Sequence, residues 1–369
     1  MKEKLQNIRN LLAEKGYHAL LITNPVSLTY SIGFKTEAET YLLIPSADLD
    51  IKSKIITPEL EYALVTSRVD TTIFDVSKVT PGSDILSIVA DSLDNFSNIE
   101  LATEFDYASY RTYLQLEEYL SKKFKSHKIK DFSTEMKTLR EIKRTEEIEN
   151  IRKASEIGMK GFLAVKDQIA VGMTEHELAA IAEYAMKKAG SQHPSFNTLI
   201  QTGPNSAYPH GSTTDRKVQE GDFVLVDLGA TYNGYCSDLT RTFVFGTAKS
   251  QKQIEMMKAV NEANRICRDA VKEGIIWADL YKLSKKSLAN HQLDQYYNHG
   301  LGHGVGIEIH ESPWLNAKHA KSEQILKEGM IITIEPGAYI EGMGGVRTED
   351  LLIVKKDGYE NLSPLPYFE

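Results

Sequence analysis

The chain has 369 residues, enough for two domains of roughly 100–200 residues each. Its 41% hydrophobic and 25% charged residues are ordinary for a globular protein, and a net charge of -8 argues against a nucleic-acid partner. No apolar run approaches the roughly 20 residues of a membrane span, the polar start Met1-Lys2-Glu3-Lys4 is no secretory leader, and two cysteines, Cys236 and Cys267, make neither a disulfide framework nor a thiolate zinc site. A cytoplasmic protein with no membrane contact is expected.

Leu5, Ile8, Leu11 and Leu12 recur at helical spacing, and Gly16 stands where a helix would end. Ala19 to Ile22 reads as a buried strand stopped by Thr23-Asn24-Pro25. Tyr41 to Ile44, Lys54 to Thr57 and Thr72 to Val76 are further strands, with helical patterns over 59–66, 83–94 and 107–119. This alternation predicts a small α/β domain. It holds no cluster that looks catalytic; the polar loop Lys35-Thr36-Glu37-Ala38-Glu39 reads as a solvated connection. From Met136 to about Ile169 the pattern is one long charged amphipathic helix, with the domain boundary near its start. Thr174-Glu175-His176-Glu177 is a capping box opening a helix to Gly190, with His176 at the surface. Two more helices, about 252–273 and 277–291, lead to the glycine-histidine stretch.

That stretch, Asn298 to Pro313, sets His299, His303 and His310 among glycines. A dinucleotide cradle would need Gly-x-Gly-x-x-Gly after a buried strand. The sixth place is Val305 counting from Gly300 and Ile307 counting from Gly302, so nucleotide binding is excluded. Glycine permits close backbone approach to a ligand, and neutral imidazole is a common metal ligand.

Carboxylates complete the pattern. Asp222 to Gly229 is an apolar strand carrying Asp227, and a buried carboxylate needs compensation. Asn233-Gly234 marks a two-residue hairpin turn. If Tyr232 pairs with Tyr235, Asp227 lies opposite Thr240 and Asp238 falls at the diagonal on the same face, about 7–8 Å away at the backbone. Two more strands end in Glu335 and carry Glu349, with Arg347 on the same face as Glu349. Two Asp, two Glu and one His form an oxygen-rich set suited to a pair of divalent ions such as Mn²⁺, Co²⁺ or Zn²⁺.

The blocks Pro209-His210-Gly211, Val226-Asp227-Leu228-Gly229-Ala230, Gly234 through Phe243, Gly302-His303-Gly304 through His310-Glu311, Ile334-Glu335-Pro336-Gly337 and Val346-Arg347-Thr348-Glu349-Asp350 resemble the pita-bread metallopeptidases. That family includes methionine aminopeptidases, Xaa-Pro aminopeptidases and prolidases. The resemblance covers the chain from about Thr138 onward. The first 130 residues look like the N-terminal domain of the prolidase and Xaa-Pro aminopeptidase branch, which methionine aminopeptidases lack. It implies an α/β (α+β) chain: an N-terminal creatinase/prolidase-like domain over 1–132 and a catalytic pita-bread domain over 133–369.

The resemblance also implies two divalent ions, Mn²⁺ first with Co²⁺ or Zn²⁺ as alternatives. Asp227, Asp238, His303, Glu335 and Glu349 would be the ligands, with Asp238 and Glu349 bridging. A bridging water or hydroxide would attack the scissile carbonyl and Glu335 would move its proton. His210 and His310 would bind the peptide and the developing oxyanion, and Arg347 would hold carboxylates in place. His299 is expected to be structural, and Cys236 to face the core.

The implied substrate is a small peptide with proline second, cleaved by an Xaa-Pro dipeptidase. The alternative is an Xaa-Pro aminopeptidase acting on longer peptides, and a remoter one is an inactive pita-bread binding module. Some prolidases carry an arginine between the histidine-glutamate and Glu-Pro-Gly blocks. Here 311–329 has none, only Lys318, His319, Lys321 and Lys327. The family expectation is a homodimer in which the loop Gly33–Glu39 could reach the partner's cleft.

Overall fold

Helix α1 (Lys2–Lys15) buries Leu5, Ile8 and Leu12 and ends on Gly16 at φ 72°, a left-handed cap that glycine adopts without a Cβ penalty. The structure is a computed structural model describing residues 1–94, 96–319 and 323–368. It divides into two units, Met1–Leu139 and Arg140–Glu369.

The first unit continues through β1 (Ala19–Ile22), α2 (Pro25–Ile32), β2 (Tyr41–Pro45), β3 (Ser53–Pro58), α3 (Glu59–Arg68), β4 (Phe74–Val79), α4 (Ile85–Asp91), β5 (Asn98–Thr103), α5 (Tyr110–Lys123) and β6 (Ser126–Asp131). The strands form one mixed sheet in the order β4-β3-β2-β1-β5-β6. On it, Leu21, Leu43, Ile56 and Leu101 pack with Leu86 and Val89 of α4 and Leu116 and Leu120 of α5. Helix α2 was not expected. Asn24, read as part of a strand stop, accepts the Val26 N–H at 3.0 Å, and Pro25 opens the helix where its missing N–H costs nothing. The loop at 35–39 is anchored rather than freely solvated: the N–H groups of Glu37 and Ala38 donate to Glu61 Oε1 at 2.7 and 3.0 Å.

The helix expected over 136–169 is two helices, α6 (Ser133–Glu141) and α7 (Thr145–Gln168). At the break, Ile142 forms a β-bridge with Met330 and the Lys143 N–H donates to Gly329 O at 2.9 Å. The buried Lys143 ammonium meets Glu311 Oε1 at 2.8 Å. Tertiary partners thus take backbone groups that a continuous helix would have used internally, and a buried ion pair fixes the break.

The second unit then runs α8 (Glu175–Lys188), β7 (Leu199–Thr202), β8 (Phe223–Leu228), β9 (Thr231–Tyr232), β10 (Tyr235–Cys236), β11 (Leu239–Val244), α9 (Gln251–Asp269), α10 (Trp277–Ala289), β12 (Gly302–Gly304), β13 (Glu311–Leu315), β14 (Ile331–Ile334), β15 (Gly337–Ile340), β16 (Gly344–Arg347), β17 (Asp350–Lys355) and β18 (Gly358–Asn361). Its larger sheets are β11-β8-β7 and β13-β12-β14-β17-β18. Ile157, Phe162, Leu178 and Ala182 of α7 and α8 cover Val224, Val226 and Leu239 of the first. Cys267 and Leu280 of α9 and α10 cover Ile332, Ile334 and Leu352 of the second. The site lies where the two sheets meet.

Candidate metal centre and active-site cleft

The β8–β11 hairpin places the two aspartates. Asn233 and Gly234 have φ of 48° and 79°, as a two-residue hairpin turn with both central residues left-handed requires. Tyr232 pairs with Tyr235 and Thr231 with Cys236, and beyond them Leu228 pairs with Leu239 and Asp227 with Thr240. The register holds without a bulge, so Asp238 shares the face of Asp227. Glu335 and Glu349 arrive from the other sheet: Ile334 pairs with Asp350, which sets them side by side at the end of the β14–β17 ladder. The Glu349 N–H donates to Thr240 O at 3.0 Å and stitches the two sheets together at the site.

His303 comes from β12, squeezed between β13 and β14. A Cβ on Gly302 would lie 2.0 Å from Thr333 O, and one on Gly304 2.2 Å from Ser312 O. These two glycines therefore serve close approach of neighbouring strands, and Gly302 also lines the cleft.

Asp238, His303 and Glu349 each offer a ligand atom within 4.8 Å of the others. Glu335 Oε1 lies 3.6 Å from His303 Nε2, as does Asp238 Oδ2. Asp227 points instead to Arg347 Nη2 at 2.5 Å and accepts from Thr240 Oγ1 at 3.0 Å. All five, with His210, His310 and Arg347, line one cleft of about 890 Å³. His210 and His310 are exposed on its walls; the His310 ring sits 4.4 Å from that of His303 and stacks on Trp314.

The electrostatics are those of a cluster lacking its counter-charge. Burial, followed by repulsion from Asp227, pushes Glu349 up to about 8. Burial and the neighbouring carboxylates hold Asp238 and Glu335 well above the usual carboxylate range. Burial, with His310 adding to it, holds His303 down at about 3, so its imidazole is neutral. His303 Nδ1 donates to Gly304 O at 3.0 Å, which leaves a bare lone pair on Nε2 facing two carboxylate oxygens too distant to hydrogen-bond. Glu349 Oε1 is buried with no hydrogen-bond partner. A cation among these atoms relieves all of this together, and an oxygen-rich set with one imidazole suits a hard or borderline divalent ion. The residues fit a metal site.

Arg347 spans the remaining polar groups, donating to Asp227, to Thr240 Oγ1 at 3.2 Å and to Tyr339 OH at 2.9 Å. Tyr339 in turn donates to His299 Nε2 at 2.9 Å, because His299 Nδ1 is committed to Gly300 O. His299 lines the cleft but has both ring nitrogens engaged by the protein. Cys236 is buried, its Sγ directed at Ile307 O.

Sequence reading placed Thr240 only as the strand partner of Asp227, without its hydrogen bonds to the carboxylates, and missed Tyr339 and Asn264. Asn264 of α9 is fully buried; its amide donates to Ile334 O at 2.8 Å and Thr348 O at 3.1 Å, the carbonyls just before Glu335 and Glu349. Its Oδ1 accepts from Tyr367 OH. The available signal was a polar residue inside the apolar stripe of α9. Of the cations between 311 and 329, Lys318 and Lys327 are exposed and do not line the cleft, His319 ends a short 3₁₀ turn, and Lys321 lies outside the described residues.

Residues 149–356 match the model of metallopeptidase family M24, and residues 4–142 match the creatinase/prolidase N-terminal domain. The chain is 35% identical to an Xaa-Pro dipeptidase of Pyrococcus furiosus, over 98% of both chains. Among solved structures it resembles an Xaa-Pro dipeptidase from Bacillus anthracis (TM-score 0.89, 30% identity, covering 99% of this chain and 98% of that one). It also resembles an X-Pro aminopeptidase from Thermotoga maritima (TM-score 0.86, 31% identity, 95% and 97%).

Proposed function

Because the chain belongs to metallopeptidase family M24, we propose that it is a metal-dependent Xaa-Pro dipeptidase, with the 1–132 segment as its N-terminal domain and 133–369 as its catalytic pita-bread domain. The observation that carries this reading is the convergence of three carboxylates, Asp238, Glu335 and Glu349, on the bare Nε2 side of His303, with Asp227 lining the same cleft, in a chain similar end to end to a dipeptidase of that name.

Asp227, Asp238, His303, Glu335 and Glu349 would hold two divalent ions, Mn²⁺ first and Co²⁺ or Zn²⁺ as alternatives. When bound, the ions supply Lewis acidity, polarising the scissile carbonyl and acidifying water. The protein does the rest. Glu335 takes the proton of the attacking water and returns it to the proline nitrogen, which leaves as a secondary amine. His210 and His310 reach from the cleft walls to the substrate carbonyl and steady the charge that grows on its oxygen. Arg347 fixes Asp227 and, through Tyr339, the His299 wall. The reading includes a cytoplasmic homodimer; no helix among the described residues is long and apolar enough to cross a membrane.

Release of proline from Leu-Pro and from Leu-Pro-Pro, with added Mn²⁺ and with chelator, tests the proposal. Cleavage of the dipeptide alone, abolished by chelator, is expected. The absence of arginine between 311 and 329, and the similarity to an X-Pro aminopeptidase, favour one second reading. Preference for the tripeptide would establish it. No metal-dependent cleavage of either peptide, across several Xaa residues, would refute both.

A further inference from the structure

Glu175 is wholly buried at the first turn of α8, and the chemistry above makes no use of it. Its Oε1 accepts from the Thr202 N–H at 2.7 Å and from Thr202 Oγ1 at 2.9 Å. Its Oε2 accepts from the Thr214 N–H at 2.9 Å and from Thr214 Oγ1 at 2.7 Å. Asn205 Nδ2 lies 3.2 and 3.3 Å from the two oxygens. The helix start also favours a negative charge there.

Thr202 and Thr214 are the two ends of the excursion that carries His210 over the cleft. One carboxylate therefore ties both stems of this loop, each oxygen serving one stem and both shared with Asn205. The stems have further anchors: the Glu175 N–H donates to Arg216 O at 3.1 Å, and the Gly345 N–H donates to Ser206 Oγ at 2.8 Å. Within the loop, the Gly211 N–H and Gln201 Nε2 both donate to Tyr208 O. The His210 side chain is exposed, so its position depends on the backbone beneath it.

We propose that Glu175 is a positioning residue: by closing the base of the 203–213 loop it sets where His210 stands above the reacting carbonyl. An ionised carboxylate is acceptor-only, with about four lone-pair sites for these donors. Glutamine keeps the size but turns an NH₂ group against N–H and O–H donors, so it cannot satisfy both stems. The catalytic part of this inference rests on the role given to His210 above.

The test is a double-mutant cycle read alongside amide hydrogen exchange on the metal-loaded protein. Glu175→Gln is expected to speed exchange over 203–212 and to lower kcat/KM about 10-fold, because a small misplacement of a group at the reacting carbonyl costs rate steeply. Bound metal should stay at the wild-type stoichiometry. In a His210→Ala background the same change should cause no further loss, because the group it positions is gone. Asn205→Ala, which keeps the carboxylate and removes one arm, should move exchange and kcat/KM the same way by less, and it decides the matter if Glu175→Gln does not fold. Unchanged exchange in the folded variants would overturn the latch. An equal loss of activity with and without His210 would overturn its action through that residue. Wild-type activity in His210→Ala would refute the role assigned to His210, while exchange would still decide the latch.

Discussion

Arg347 shows how much one side chain can hold. Its planar guanidinium donates in three directions, to an aspartate, a threonine hydroxyl and a tyrosine hydroxyl. Burial alone would lower its pKa, but Tyr339, Asp227 and Glu335 together drive it well above the ordinary value, so it stays charged. A lysine is a single compact charge and cannot span these three partners. Arg347→Lys should therefore weaken Mn²⁺ binding by about 10–100-fold, with kcat/KM falling alongside; calorimetric titration of the metal-stripped protein checks this, and wild-type affinity would contradict it. At this scale the residues of the cluster were legible because acids at strand ends are costly and so stand out. Thr240 and Asn264 were not: a threonine in a strand and an asparagine in a helix look ordinary until their hydrogen-bond partners are known.

Among the elements, those with clean periodicity and local end signals were legible. β1 matches its expected span residue for residue, and the Asn233-Gly234 turn gave the hairpin register that aligns Asp227 with Asp238. What was missed had different causes: α2 was missed although Asn24 and Pro25 are local start signals for it. The α6–α7 break is set by Met330, Gly329 and Glu311, all more than 150 residues away along the chain. β6 is a polar edge strand whose alternation has little apolar content to reveal it. The break also carries a measurable energy. Lys143 and Glu311 are 2% and 5% exposed at the side chain, and removing one partner strands a buried charge. Lys143→Met should cost about 3 kcal/mol in denaturant unfolding. Arg140, 3.8 Å from Glu311 Oε2, remains as a weaker partner. The exposed pair Lys153–Glu156, cut by Lys153→Met, should change stability by well under about 1 kcal/mol. Equal effects in the two variants would show that the break is not held by its buried ion pair.

For the molecule as a whole, the cluster links stability to pH and to metal. Without metal, Glu349 is raised to about 8, with Asp238 and Glu335 displaced the same way, so the folded chain keeps protons that the unfolded chain has released. That contribution is complete below the ordinary carboxylate value of 4.5 and is lost as pH rises toward 8. His303 and His299, both lowered to about 3, act oppositely: their contribution is complete above 6.5 and is lost as pH falls toward 3. Between pH 6.5 and 8, of these groups, the carboxylates alone still change the balance. The Tm of the chelated protein, followed by circular dichroism, should fall across that window, and Mn²⁺ should flatten the fall. A rise in the chelated sample would contradict the assignment.

The centre stands on a seam. The β11-β8-β7 sheet meets the start of β17 in the larger sheet there through the Glu349 N–H on Thr240 O, and just beside it the end of β16 through the reciprocal bonds of Thr242 Oγ1 with the backbone of Arg347. Ions bound across this line would work as rivets between two plates. Fluctuations that part the plates would then silence the chemistry while every helix and both sheets are still intact, so the enzyme wears out first at its working edge.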